Sequence, residues 1–308
     1  MLRCQVVPLP EHQVQFLLVG QEKLRWHFGP QYPRPFFYPV VGPSGQVLTR
    51  MGHPGAPSED HHRSLWFAHF KVAGKNFWND RTRCRILQRQ WLVYHDGNAW
   101  GGMAVALDWL DEDATPLMHQ QAVAVLHPHW SHKELLREGE WLLELQSTFR
   151  PGSGREELVL EKTNFGPLGL RVAKSLSEHF GSGKLTNSEG RTGERAIFGR
   201  RAGWVDYSGP GDAGVVEGIT CFDHPANPGH PCPWHVRSNG WLGPSLCMFG
   251  PVRIAAKEPL VVRYLLYVHR GAVDARRAAA VGAWFAHRPA WQVVPARRPH
   301  EQYRLQSG

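Results

Sequence analysis

Apolar and polar positions alternate with period two along most of the chain. The runs at 14–18, 91–94, 104–109, 141–149, 157–163, 215–222 and 260–269 read as strands. A further apolar run at 64–72 resembles a short strand. Between the runs, Gly, Pro, Asp and Asn recur at uneven intervals. Turns are predicted at 43–45, 96–98, 151–154 and 208–212. This is the pattern of antiparallel sheets whose loops carry the polar function.

Helical spacing is scarce. The segment 275–287 reads as a helix, with three consecutive alanines and Asp274 as its N-cap. A second helix is predicted at 172–180. The sequence has no glycine-rich phosphate loop and no strand–helix alternation, which argues against nucleotide-binding α/β folds. These elements predict an all-β fold: one large antiparallel β-sandwich over residues 1–288 with a short C-terminal helix. Residues 289–308, rich in Pro, Arg and Gln, are expected to form a loosely ordered basic tail.

Composition refines this picture in three ways. A chain of 308 residues buries on the order of three quarters of its extended surface, so it needs neither metal nor disulfide to fold. The formal charge of +8 comes from scattered Arg and Lys, without a basic helix or a zinc-finger spacing. That argues against nucleic acid and for a small acidic substrate. The five cysteines, Cys4, Cys84, Cys221, Cys232 and Cys247, form no CxxC pair. With no signal-like start and no apolar stretch of about 18 residues, the expectation is a cytoplasmic protein that does not cross a membrane.

Histidine clustering is the chemical signal. His53, His61, His62 and His69 fall in one stretch, and His224, His230 and His235 in another. Histidine exchanges protons near neutral pH and is the commonest metal ligand. In the first stretch His61 and His62 stand beside Asp60 and Arg63, and Arg50 or Arg63 would hold a carboxylate. Two neighbours on one strand point to opposite sides, so a pocket takes only one of the two histidines directly. His53 suits a turn and His69 a strand interior. In the second stretch, Pro and Gly fix a rigid path carrying His224, Asn227, Trp234, His235 and Arg237. Trp234 would stack on a sugar ring, Asn227 would orient a hydroxyl, and Arg237 would neutralise an oxyanion. Glu161 and Arg171 flank a bend between the two stretches.

Several longer motifs resemble a known group. They are PSGQVLTR at 43–50, DHHRSLWFAHFKVAGKNFW at 60–78, LRVAKSL at 170–176, GRRAGWVDYSG at 199–209 and DHPANPGHPCPWHVRSNGWLG at 223–243. Over about residues 32–287 the chain resembles the bacterial DUF6807 family, formerly labelled methane oxygenase PmoA-like. The resemblance implies a large sandwich (supersandwich) like that of galactose mutarotases, in a setting of carbohydrate metabolism.

The leading expectation is a carbohydrate-active enzyme doing His-based acid/base chemistry on a sugar, keto sugar or uronide, by epimerisation, elimination or glycosidic hydrolysis. His62 and His224 would move protons, with Arg63 and Arg237 stabilising negative charge. Arg50, His61, Asn227, Trp234, His235, Arg171 and Glu161 would hold the substrate. This scheme needs no cofactor. The alternative is one divalent metal ion on His62, His69, His224 and His235, three such ligands and an open position being enough for catalysis. A third reading is a non-catalytic sugar-binding protein. The partner is a small carbohydrate, and a homodimer is left open.

Overall fold

The computed structural model describes residues 2–52, 55–128, 137–211 and 214–308. His53 lies outside the described residues. Two eight-stranded antiparallel sheets dominate. The first runs, in spatial order, Cys4–Leu9, Gln13–Leu18, Gln21–His27, Phe36–Val40, Leu65–Phe67, Leu168–Arg171, Trp241–Pro244 and Trp234–Arg237. The second runs Lys184–Asn187, Trp204–Pro210, Val216–Asp223, Leu260–Arg270, Trp141–Pro151, Pro116–His127, Gly101–Leu110 and Arg85–His95.

The sheets face each other across one apolar core. Val14, Phe16, Leu65, Leu170, Trp234 and Leu242 enter it from the first sheet, and Met103, Leu126, Leu143, Tyr207 and Leu266 from the second. Burial of this contiguous apolar surface is the main driving force for the sandwich.

The second sheet's other face is also covered. Helix Ala275–Ala286 lays Ala278, Val281 and Phe285 on Leu142, Trp204, Phe222 and Leu265. Asp274 caps this helix, accepting from the Arg276 and Arg277 amides. The segment beyond 288 is not a loose tail. Strands Trp291–Pro295 and Tyr303–Ser307 form a hairpin that buries Trp291 and Leu305 against Val93, Ala104, Val123 and Val125. Apolar residues on one side of the hairpin outweigh its basic composition.

The helix expected at 172–180 is absent. These residues form turns, and the Ser177 hydroxyl donates to the Lys174 carbonyl and accepts from the Phe180 amide. A serine that bonds nearby backbone in this way competes with helix formation. The strand expected at 64–72 is only Leu65–Phe67.

Candidate functional site

The first sheet's outer face carries the site, and strand alternation decides which residues reach it. Leu65, Leu168, Leu170, Trp234, Val236 and Leu242 point into the core. Their neighbours Trp66, Gly169, Arg171, His235, Arg237 and Trp241 therefore project outward. Trp66 and Trp241 flank Gly169, where a Cβ atom would come within 2.7 Å of both indoles. Trp78 closes the triangle, with ring centroids 5.3–5.5 Å apart among the three tryptophans. Phe36, Phe165 and Phe70 pack around them.

His62 lies on this aromatic floor. Its ring stacks on Trp241 at 5.2 Å and on Trp66 at 5.5 Å. The chain reaches this position through Ser64, a buried residue at φ 54 whose hydroxyl donates to Thr49 Oγ1. Few non-glycine residues adopt that conformation. His235 approaches the same floor, 5.5 Å from Trp241 and 5.2 Å from Phe165. The two histidine stretches thus meet, through His62 and His235.

Polar groups ring the floor. Arg171, fully buried, donates from Nη2 to Glu59 at 3.1 Å and from Nη1 to Asn239 Oδ1 at 3.0 Å. Arg50 donates to the Asn239 carbonyl at 2.8 Å. Glu59 also stands 3.8 Å from His62 Nδ1. Arg237 pairs with Glu194 at 3.0 Å and lies over Phe198. His61 bonds through Nδ1 to the Ser58 carbonyl and lines a cavity of about 230 Å³ with Asp60 and Asp80, its ring 4.2 Å from His62.

Burial sets the protonation states. It pushes His62 far below the ordinary histidine value, helped by the charges of His61 and Arg171. It brings His235 down to about 4 and lowers Arg171 to about 10, where the neighbouring Arg50 adds to the effect. Both histidines are neutral at pH 7. The Asn164 carbonyl accepts from His235 Nδ1 at 3.0 Å, and a carbonyl cannot donate. The proton therefore resides on Nδ1, and Nε2 presents a lone pair.

Many polar atoms here lack partners. His62 Nδ1, His235 Nε2, the indole nitrogens of Trp66, Trp78 and Trp241, Arg50 Nε and Nη1, and Arg171 Nε are buried without a hydrogen bond among the described residues. Each such group costs about 1–3 kcal/mol when left unsatisfied. Their concentration on one face is the main departure from ordinary packing. A larger cleft, about 570 Å³, lies between strand Arg85–His95 and the C-terminal hairpin. It lacks a comparable set of buried, unpartnered groups, so the aromatic face is the better candidate.

Other expected residues are placed elsewhere. His224 lies beneath helix Ala275–Ala286, 4.7 Å from Phe285. Its Nδ1 accepts from the Ala226 amide, and its Nε2 is 3.0 Å from the Arg263 guanidinium, so neighbours occupy both nitrogens. Asn227 bonds to Asp223 and to the Arg263 backbone. Trp234 is a core residue whose indole donates to the Ala202 carbonyl, not a stacking platform. Arg63 is tied to Asp80, which Arg34 also grips. His69 bonds to the Glu161 carbonyl, and the Glu161 carboxylate accepts from the Gly74 amide, so both serve a turn. His62, His69, His224 and His235 therefore do not assemble as one ligand set. Among the described residues no group of three or more His, Cys, Asp or Glu converges in the way a metal ion requires.

Sequence reasoning missed Trp66, Trp78, Trp241, Glu59 and Asn239 as site residues. The tryptophans and Asn239 belong to the motifs that carry the family resemblance. The comparison with family models now decides that resemblance. Residues 13–283 match the family of unknown function DUF6807. The chain belongs to the DUF6807 family. The comparison with curated proteins returned no match. Among solved structures, a TPR-domain containing protein from Parabacteroides distasonis aligns at 10% identity over 95% of this chain. The chain spans about half of that protein, 51%, and the TM-score of 0.31 carries no argument. Among the described residues of this DUF6807 protein, no helix is long and apolar enough to cross a membrane.

Proposed function

We propose that this DUF6807 protein is a carbohydrate-active enzyme that does acid/base chemistry on the outer face of its first sheet. The observation that carries this reading is the convergence of unpartnered buried donors with a preset imidazole lone pair on one aromatic floor. Aromatic faces suit the apolar C–H faces of a sugar, and buried N–H groups suit its oxygens. The two facing antiparallel sheets support a mutarotase-like architecture as part of the same reading.

His235 Nε2 is the proton acceptor in this scheme. Glu194 favours the imidazolium that results, and Arg237 opposes it. The His235 imidazolium so formed returns that proton to the substrate or its leaving group, and neutral His62, beside Glu59, is a hydrogen-bonding partner for the ligand. Arg50 and Arg171 stabilise the negative charge that develops when a proton leaves an activated carbon or hydroxyl. Epimerisation, elimination and glycosidic hydrolysis all draw on a base that then acts as its conjugate acid. The five cysteines are free and buried, which supports a reducing, cytoplasmic setting.

The test is a proton NMR screen of the purified protein against neutral sugars, keto sugars and uronides. A substrate should be converted, and His235→Ala and His62→Ala should each slow turnover by about 10²-fold or more. Undiminished turnover in a folded His235→Ala variant would remove the scheme. A sugar that binds and is returned unchanged would make the protein a binding module.

A further inference from the structure

Among the described residues, charge does not balance beside the aromatic floor. Arg171 is fully buried and Arg50 nearly so, and the Arg50 charge is felt at Arg171. Asn239 fixes both, its carbonyl accepting from Arg50 and its side-chain oxygen from Arg171. Glu59 is the carboxylate that meets them, bonding directly to Arg171 and acting on Arg50 through its charge. Among the described residues, two guanidinium groups thus share one carboxylate. Arg50 Nε, Arg50 Nη1 and Arg171 Nε remain buried and unpartnered. A buried cation in that state is costly, because it has lost water without gaining an anion.

Glu59 itself belongs to the cover and not to the sheet. It ends the short 3-10 turn Pro57–Glu59 and is about one third exposed. Its carboxylate enters the arginine pair from outside, as a ligand would. The donors that remain match an acceptor-rich group of a single negative charge, which brings the local sum to zero. A phosphate dianion would overshoot it.

We infer that the ligand of this face carries a carboxylate, and that Arg50 and Arg171, held by Asn239, are its receptor. The inference rests on the reading of the face as a sugar site and narrows the substrate to a sugar acid. Beyond stabilising charge in the reaction, Arg50 and Arg171 bind and orient this carboxylate. His62 feels the Arg171 charge, so a carboxylate anchored at the arginines brings the adjoining part of the ligand toward this imidazole.

Matched ligands test this directly. Binding of hexuronates, the corresponding neutral hexoses and hexose 6-phosphates in the gluco, galacto and manno series is measured by calorimetry and tryptophan fluorescence. At least one uronate should bind about tenfold or more tighter than its neutral and phosphorylated counterparts. Added salt should weaken the uronate more than the hexose. Arg50→Gln should remove the uronate's advantage over its matched hexose. Glu59→Gln, which removes the competing carboxylate, should tighten the uronate and keeps the test open if Arg50→Gln fails to fold. Equal binding of uronate and hexose, lost together in His235→Ala, would overturn the carboxylate receptor and keep the sugar site. A phosphorylated sugar binding best would also overturn it. Binding of no sugar of any kind would overturn both readings.

Discussion

Asp223 accepts from the Asn227 side chain, from His230 Nδ1 and from the Cys232 amide. One carboxylate therefore organises the whole Pro- and Gly-rich loop that follows strand Val216–Asp223. Asn227 completes it, donating to the Arg263 carbonyl and accepting from the Arg263 amide. Every polar atom of the Asn227 side chain is used for this, and its surroundings are buried. Asn227→Ala should leave the Arg263 N–H unsatisfied and cost about 2–3 kcal/mol of stability. Urea denaturation measures that cost. Conversion of the proposed sugar substrate should be unchanged in the folded variant, whereas a substrate-binding role would raise KM. The loop's rigidity was legible in the sequence, from its Pro and Gly. What the rigidity serves was not, because the partners that decide it, Arg263 and Glu144, lie far away in the chain. Glu144 takes Arg263 at 2.7 Å, and His127 and Arg288 at 3.2 and 3.3 Å. His224 is drawn into this network and away from the aromatic face.

Gly169 shows what the strands contribute. It sits at the centre of strand Leu168–Arg171, between Trp66 and Trp241, with contact distances that leave no room for a methyl group. Gly169→Ala should push the indoles apart and cost about 1–3 kcal/mol through overpacking. It should also weaken the proposed sugar binding, because His62 rests on both rings. Thermal unfolding and fluorescence titration read the two effects separately. A variant with lowered stability and unaltered binding would show that the floor is packing alone. Strand positions such as Gln13–Leu18, Trp141–Pro151 and Leu260–Arg270 were legible because alternation or long apolar runs mark them. The aromatic floor was not. Its strand Leu65–Phe67 is apolar at every position, since Leu65 enters the core and Trp66 packs on the opposite face. A strand buried on both sides loses the alternation that would assign its faces. The same ambiguity favoured Trp234 as the platform, when the outward residue is its neighbour His235.

At the scale of the whole molecule, burial of so many histidines makes stability depend on pH. Burial brings His69, His224 and His235 to about 4, with the Arg263 charge also acting on His224, and takes His62 lower still. In the unfolded chain each returns to about 6.5. Between these values the unfolded state binds protons that the folded state refuses, so stability is present above pH 6.5 and is lost as pH falls through 4. Glu144 continues the loss at lower pH. Burial alone would raise it, but bonds from His127 and Arg263 and the Arg288 charge hold it at about 2, against 4.5 in the open chain. Its contribution disappears as pH falls from 4.5 to 2. His269 opposes the trend. Burial would lower it, yet Asp206 at 2.8 Å raises it, so its contribution is complete below pH 6.5 and fades as pH rises past its folded value. Several lowered histidines outweigh His269. The Tm should therefore drop by roughly 5–10 °C between pH 7 and pH 4. His224→Gln, which cannot titrate, should show a shallower fall over the same interval even if its Tm at pH 7 is lower. Calorimetric scans at pH 4, 5, 6 and 7 measure both slopes. A Tm that stays level from pH 7 to 4 would mean that these imidazoles meet water in the folded protein, and the neutral His62–His235 pair on the aromatic floor would lose its physical basis.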